Sequence, residues 1–160
     1  MKITKDGGGA RIRLNLAESH VLEQLFLELQ DVLDPDALAP SDSVRKRLYP
    51  AGYADADDAA SFRELTESGL HADRSERLDL CLAEVRSGRS LRRTEMHLDG
   101  DGAERWMRVL NDLRLTLGTQ LNISEDDDYE LDEQDPQVHL RARYLWLTAL
   151  QDALVTTVMG

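Results

Sequence analysis

The segment PQVHLRARYLWLTALQDALVTTVM, residues 136–159, constrains the fold more than any other part of this chain. Wound into a helix, it is apolar over well over half of its circumference. Val138, Leu145 and Ala149 fall on one side, Leu147, Leu154 and Val158 on another, with Leu150 and Trp146 between them. A helix that apolar all round belongs at the centre of a fold or at a subunit interface, because a surface helix carries a single apolar stripe. Asp135-Pro136 marks its start, since proline is favoured at the first helical position. Such a helix demands partners to cover it.

The partners are legible. Val21, Leu22, Leu25, Phe26, Leu29, Val32 and Leu33 recur at i, i+3, i+4 spacing and predict a first helix. Its other face carries His20, Glu23, Gln24 and Asp31, with Asn15 as cap and Glu18 completing a capping box. Asp34-Pro35 stops it. A short helix is expected near residues 42–48, and another, opened by Asp55 or Asp57, across residues 59–67 with Phe62 and Leu65 as anchors. Thr66 is expected to cap a further helix in which Leu70, Leu78, Leu82 and Val85 share a face, with Cys81 beside them and Gly88 at the end. Asp99 or Asp101 then caps a helix whose apolar stripe is Trp106, Leu110, Leu113, Leu117 and Leu121. Before all of these, residues 2–15 alternate apolar and polar positions around Asp6-Gly7-Gly8, a β-hairpin signature. Residues 94–98, TEMHL, are compatible with a short extended piece. At 160 residues the chain has the size of one ordinary domain. The expected fold is mainly α: a single-domain helical bundle spanning 1–160, with a small N-terminal β-hairpin.

Charge excludes several functions. Nineteen Lys and Arg against 31 Asp and Glu give −12, but residues 124–135, SEDDDYELDEQD, hold eight acids and no base. Set aside those eight and the net charge is −4. Basic residues gather at Arg45-Lys46-Arg47 and at Arg86, Arg89, Arg92 and Arg93. Nucleic-acid affinity is chiefly phosphate neutralisation, so direct DNA binding is expected to be weak or indirect. The arginines at 86–93 are candidates for contact with a phosphate or an acidic protein partner. No apolar run is long enough for a transmembrane helix. The N-terminus lacks the apolar stretch of a secretory signal, and a single cysteine fits a reducing cytoplasm.

Catalytic and metal signatures are missing. His20, His71, His97 and His139 are scattered, with no HExxH. Asp126, Asp128 and Glu130 alternate as in a calcium loop, yet the sixth position is Leu131 where glycine is required and the twelfth is Gln137 where Glu is required. Gly7-Gly8-Gly9 joins two strand-like runs and so reads as a turn, since a phosphate cradle precedes a helix. No G-x-S-x-G appears. The chain is expected not to be an enzyme and to need no cofactor or metal.

Two features remain. Within the helix over residues 106–123, Asn111, Arg114 and Gly118 form a flank beside the apolar stripe, where a second element could approach over the glycine. They read as a polar anchor, with Arg114 seeking a carboxylate such as Asp152 or an acid of the loop. Arg105, Arg108, Asp112, Thr116 and Thr119 are assigned to the solvent side. Cys81 is the one candidate redox residue, with Arg77 a turn earlier favouring a thiolate and Asp79 and Glu84 opposing it.

The run RWMRVLNDLRLTLGTQL at 105–121, preceded by FRELTE at 62–67 and followed by an acidic loop and a Trp-containing last helix, resembles an actinobacterial family of domains of unknown function. That family includes oxidative-stress transcriptional regulators of the AosR type. The most specific stretch is matched at Leu110, Asn111, Asp112, Arg114, Leu115, Leu117, Gly118 and Thr119. The resemblance implies a regulator acting through RNA polymerase and an alternative sigma factor, switched by two cysteines four residues apart. Here Cys81 has Val85 and Arg77 at those distances, so that switch has no second thiol. A homodimeric interaction module built on the last helix, with no role in transcription, is the competing expectation.

Overall fold

The computed structural model describes residues 1–34, 44, 47, 48, 59–124 and 130–160, with the side chains of 59–69 outside that description. Strands β1 (Lys2–Asp6) and β2 (Gly9–Leu14) form the expected hairpin, paired antiparallel with Ile3 opposite Ile12. Gly7, at φ 58°, makes the turn in a conformation that costs glycine nothing. The hairpin is not free-standing. Strand β3 (Thr94–Leu98) adds to β2 with Ala10 opposite Leu98 and Leu14 opposite Thr94, giving a three-stranded sheet in the order β1-β2-β3. β2 is therefore central and buries Ala10, Ile12 and Leu14. A hairpin alone is marginal in water, and the third strand lets its apolar face cover a core.

Helix α1 (Leu16–Leu33) starts at the predicted capping box. Glu18 N–H donates to Asn15 Oδ1, and Asn15 N–H donates to Glu18 Oε2, both at 2.8 Å. Its buried face is Ser19, Leu22, Leu25, Phe26, Leu29 and Leu33. Of the expected helix near 42–48, Val44, Arg47 and Leu48 are described and helical, and Val44 and Leu48 join the core. The proposed openings at Asp55 and Asp57 lie outside the described residues. Helix α2 (Ala59–Ser87) corrects the two-helix reading of this region. The chain runs through Thr66 as one continuous helix, because no proline interrupts it and a threonine caps only where the backbone leaves the helix. It stops at Gly88, where an added Cβ would lie 2.3 Å from the Glu95 carbonyl oxygen of β3. Only a glycine lets helix end and strand lie that close.

Helix α3 (Gly100–Gln120) is capped by Asp99, whose Oδ1 accepts the Gly102 N–H at 2.7 Å. It ends three residues before the predicted boundary. Leu121 is the C-cap, and Asn122 follows at φ 53° in the left-handed region. Its N–H donates to the Thr119 carbonyl at 3.1 Å, while Ile123 N–H donates to the Gly118 carbonyl at 2.9 Å. These two bonds are the Schellman closure, and asparagine is the usual substitute for glycine at its left-handed position. Helix α4 (Val138–Met159) begins two residues after Pro136, with the Asp135 side chain accepting the Gln137 N–H at 2.9 Å.

Trp106 is wholly buried and meets Phe26 edge-to-face at 5.6 Å between ring centroids, joining α3 to α1. Leu147, Leu150 and Leu154 of α4 are also wholly buried. One continuous core includes the sheet, Val44, Leu48 and residues of all four helices. The solvent side assigned to α3 needs correction: Asp112 is 6% and Thr116 5% exposed. α2 lies over that side, and Arg74 Nε holds Asp112 Oδ2 at 3.1 Å. Helical periodicity located the apolar stripe of α3 but carries no information that a second helix covers the flank. No helix among the described residues is long and apolar enough to cross a membrane.

Candidate functional site

Asn111, Arg114 and Gly118 stand on one flank of α3, as their spacing requires, facing α4. Arg114 Nε donates to Thr148 Oγ1 at 3.1 Å, its NH1 donates to Gln151 Oε1, and its guanidinium lies 5.7 Å from the Tyr144 ring centroid. Gln151 in turn donates to the Met107 carbonyl at 3.1 Å, and Thr148 to the Tyr144 carbonyl at 2.9 Å. Among the described residues the arginine thus ties α3 to α4 through neutral partners and not through a carboxylate; Asp152 is exposed, and Glu125, Asp126, Asp127 and Asp128 of the acidic loop lie outside the described residues. Hydroxyl, amide and aromatic face supply donor satisfaction without cancelling the charge.

Gly118 does not serve a tight helix crossing. An added Cβ would sit 3.5 Å from Tyr144 Cε2, an ordinary contact. Instead the trio opens onto a cavity of about 700 Å³, walled also by Arg47, Thr119, Asn122 and Tyr144. Asn111 is exposed there, and its side chain makes no hydrogen bond to a described residue. Arg47 and Tyr144 are contributions that spacing along α3 could not reveal, because they come from elsewhere in the chain.

The basic residues at 86–93 are brought together only in part. Arg86 Nε holds Glu23 Oε1 at 2.8 Å and Arg89 holds Glu23 Oε2, so both are committed to α1. These bonds hold the Glu23 carboxyl below the usual carboxylate range, Arg89 contributing most. Arg93 lies 3.4 Å from Glu95 Oε2. Arg92 is exposed and makes no ion pair among the described residues. Between them the chain turns tightly: Ser90 N–H and Ser90 Oγ both donate to the Arg93 carbonyl at 2.8 Å. The turn lifts Leu91 to 96% exposure.

Cys81 is wholly buried in the α2 face that packs on α3. Burial pushes its thiol up to about 12, Glu84 pushes the same way, and Arg105 and Arg77 oppose. A thiol raised this far carries little thiolate at neutral pH. The polar residue that spacing missed here is Glu84. Its Oε2 accepts the Trp106 Nε1–H at 2.6 Å and its Oε1 pairs with Arg105, so it satisfies the one polar atom of the central tryptophan. Asp112 illustrates the opposite balance to Glu23: burial raises its carboxyl above the ordinary value, with Arg74 pulling it down. Among the described residues no three His, Cys, Asp or Glu side chains are placed to hold a metal ion.

Comparison with known proteins gives the following. The family model described as "Domain of unknown function (DUF2017)" matches residues 1–158. Proteins named "Oxidative stress regulator AosR" from Mycobacterium bovis and from Mycobacterium tuberculosis are each 37% identical over 65 residues, a segment covering 41% of this chain and 30% of theirs. The match therefore spans less than a third of those relatives. No solved structure matches.

Proposed function

This chain belongs to the DUF2017 family, and on that premise we propose that it is a non-enzymatic, transcription-associated regulator of the oxidative-stress response. It acts by contact with a protein partner, a sigma factor or RNA polymerase. The observation that carries this reading is the 37% identity over 65 residues to proteins named as oxidative stress regulators. A surface suited to such contact is the hydrogen-bonded turn that exposes Leu91 with Arg92 and Arg93 alongside. An apolar anchor rimmed by arginines favours a partner surface that is apolar at its centre and acidic at its edge. The reading includes no intramolecular thiol switch, because the chain has one cysteine, and burial raises its pKa.

Affinity purification of the tagged protein from its own cells, with and without peroxide, tests it. Sigma factor or polymerase subunits are expected, and Cys81→Ala should recover them equally in both conditions. Loss of recovery in Leu91→Asp would place the contact at the turn. Recovery of neither partner under either condition overturns the proposal. Recovery only of untagged copies of the chain itself would support the second reading, a homodimeric module without a transcriptional role. That reading is favoured by the apolar side chains of Val155 and Met159, 38% and 78% exposed on α4.

A further inference from the structure

The cavity between α3, α4 and Arg47 contains two guanidinium groups and no carboxylate among its described walls. Elsewhere most described arginines are paired, Arg77 and Arg92 being the exceptions. Arg11, Arg13, Arg74, Arg86, Arg89, Arg105, Arg141 and Arg143 each hold a carboxylate in a chain of net charge −12. Arg47 and Arg114 make no ion pair with a described residue. Two arginines on one concavity with no carboxylate from a described residue offer an anion charge-assisted hydrogen bonds from both.

The walls are built for it. Arg114 is held by Thr148 and Gln151 through Nε and NH1, which leaves NH2 uncommitted among the described residues. An arginine already fixed by its neighbours loses little freedom when it binds. The Asn111 amide is exposed on the same wall, and the Schellman closure holds Asn122 at the rim. Gly118, where a side chain would fit without clash, keeps the floor open. About 700 Å³ lies within the range of small-molecule sites, far above the size of a lone inorganic ion.

We propose that this cavity is a binding site for a small polar metabolite carrying an oxyanion, held by Arg47 and Arg114 and oriented by Asn111. The assignment stands independently of the regulator reading, because it rests on the cavity alone. Phosphate and carboxylate share the chemistry, since arginine recognises both in bidentate fashion.

The test is two-dimensional NMR of the full chain titrated with pyrophosphate and, separately, with citrate, at an ionic strength matched with sodium chloride. At least one probe should shift the Gly118 and Thr119 amides and the Asn111 and Asn122 side-chain amides, saturably. A response to pyrophosphate alone assigns the phosphate class, and a response to citrate alone assigns the carboxylate class. Arg47→Gln should weaken binding by about tenfold, and Gly118→Leu, which fills the floor without altering charge, should abolish it. Because Arg114→Gln also loosens α3 from α4, Arg47→Gln and Gly118→Leu are the decisive variants. The proposal is overturned if neither probe shifts these signals. It is equally overturned if the shifts survive Gly118→Leu or are matched by those around Arg92, which would mark nonspecific screening.

Discussion

Glu23 shows how much a single residue's meaning depends on its surroundings. In sequence it is one polar position on the outer face of an amphipathic helix. In the fold it receives Arg86 from the end of α2 and Arg89 from the loop beyond, and these lower its carboxyl pKa. An acid whose folded value is depressed adds stability above its unfolded value, and that stability is lost as pH falls through the folded value. Glu23→Gln should therefore be destabilising at neutral pH, with the deficit shrinking as pH falls through and below the ordinary carboxylate range. Thermal melts of both proteins across that interval check the sign. A deficit that stays constant through acid would mean the carboxylate charge is not what the two arginines hold.

At the scale of elements, the helix ends carry much of the local specification. The capping box at Asn15 and Glu18 and the cap at Asp99 lie where residue type alone placed them, because these signals act over three residues of chain. The end of α3 was harder to see. Asn122 lies inside the run expected to be helical, yet its left-handed backbone stops the helix and places it among the residues lining the cavity. Asn122→Val should lower stability by about 1–2 kcal/mol, the strain of a side chain branched at Cβ in that conformation, while Asn122→Gly should be close to neutral. Chemical denaturation of the pair provides the comparison. Equal losses in both variants would point to the asparagine side chain and not its backbone.

At the scale of the whole molecule, α4 does what its breadth of apolar surface requires, packing on α3 and on the hairpin strands. Leu147, Leu150 and Leu154 reach the centre, while Leu145 and Trp146 are half-buried. Leu150→Ala, at a fully buried position, should cost about 2–5 kcal/mol through lost transfer energy and the cavity left behind. Equilibrium unfolding measures it, and a loss under about 1 kcal/mol would show that α4 is peripheral to the core.

The sequence by itself determined the hairpin turn, the capped starts of α1 and α3 and the apolar stripes, because each is set by residues within a turn or two of one another. It also set the limits on chemistry: one thiol, scattered histidines, acids without calcium-loop spacing. What covers each flank was decided only in three dimensions. Asp112 was assigned to solvent because periodicity divides a helix into two faces, whereas α3 is covered on more than two by α1, α2, α4 and the sheet. The third strand, the Glu84 link to Trp106 and the cavity lined by both Arg47 and Arg114 join residues more than 20 positions apart. Local patterns cannot encode such pairings, since which surfaces meet is settled by the packing that buries the most apolar area while leaving most buried polar atoms a partner.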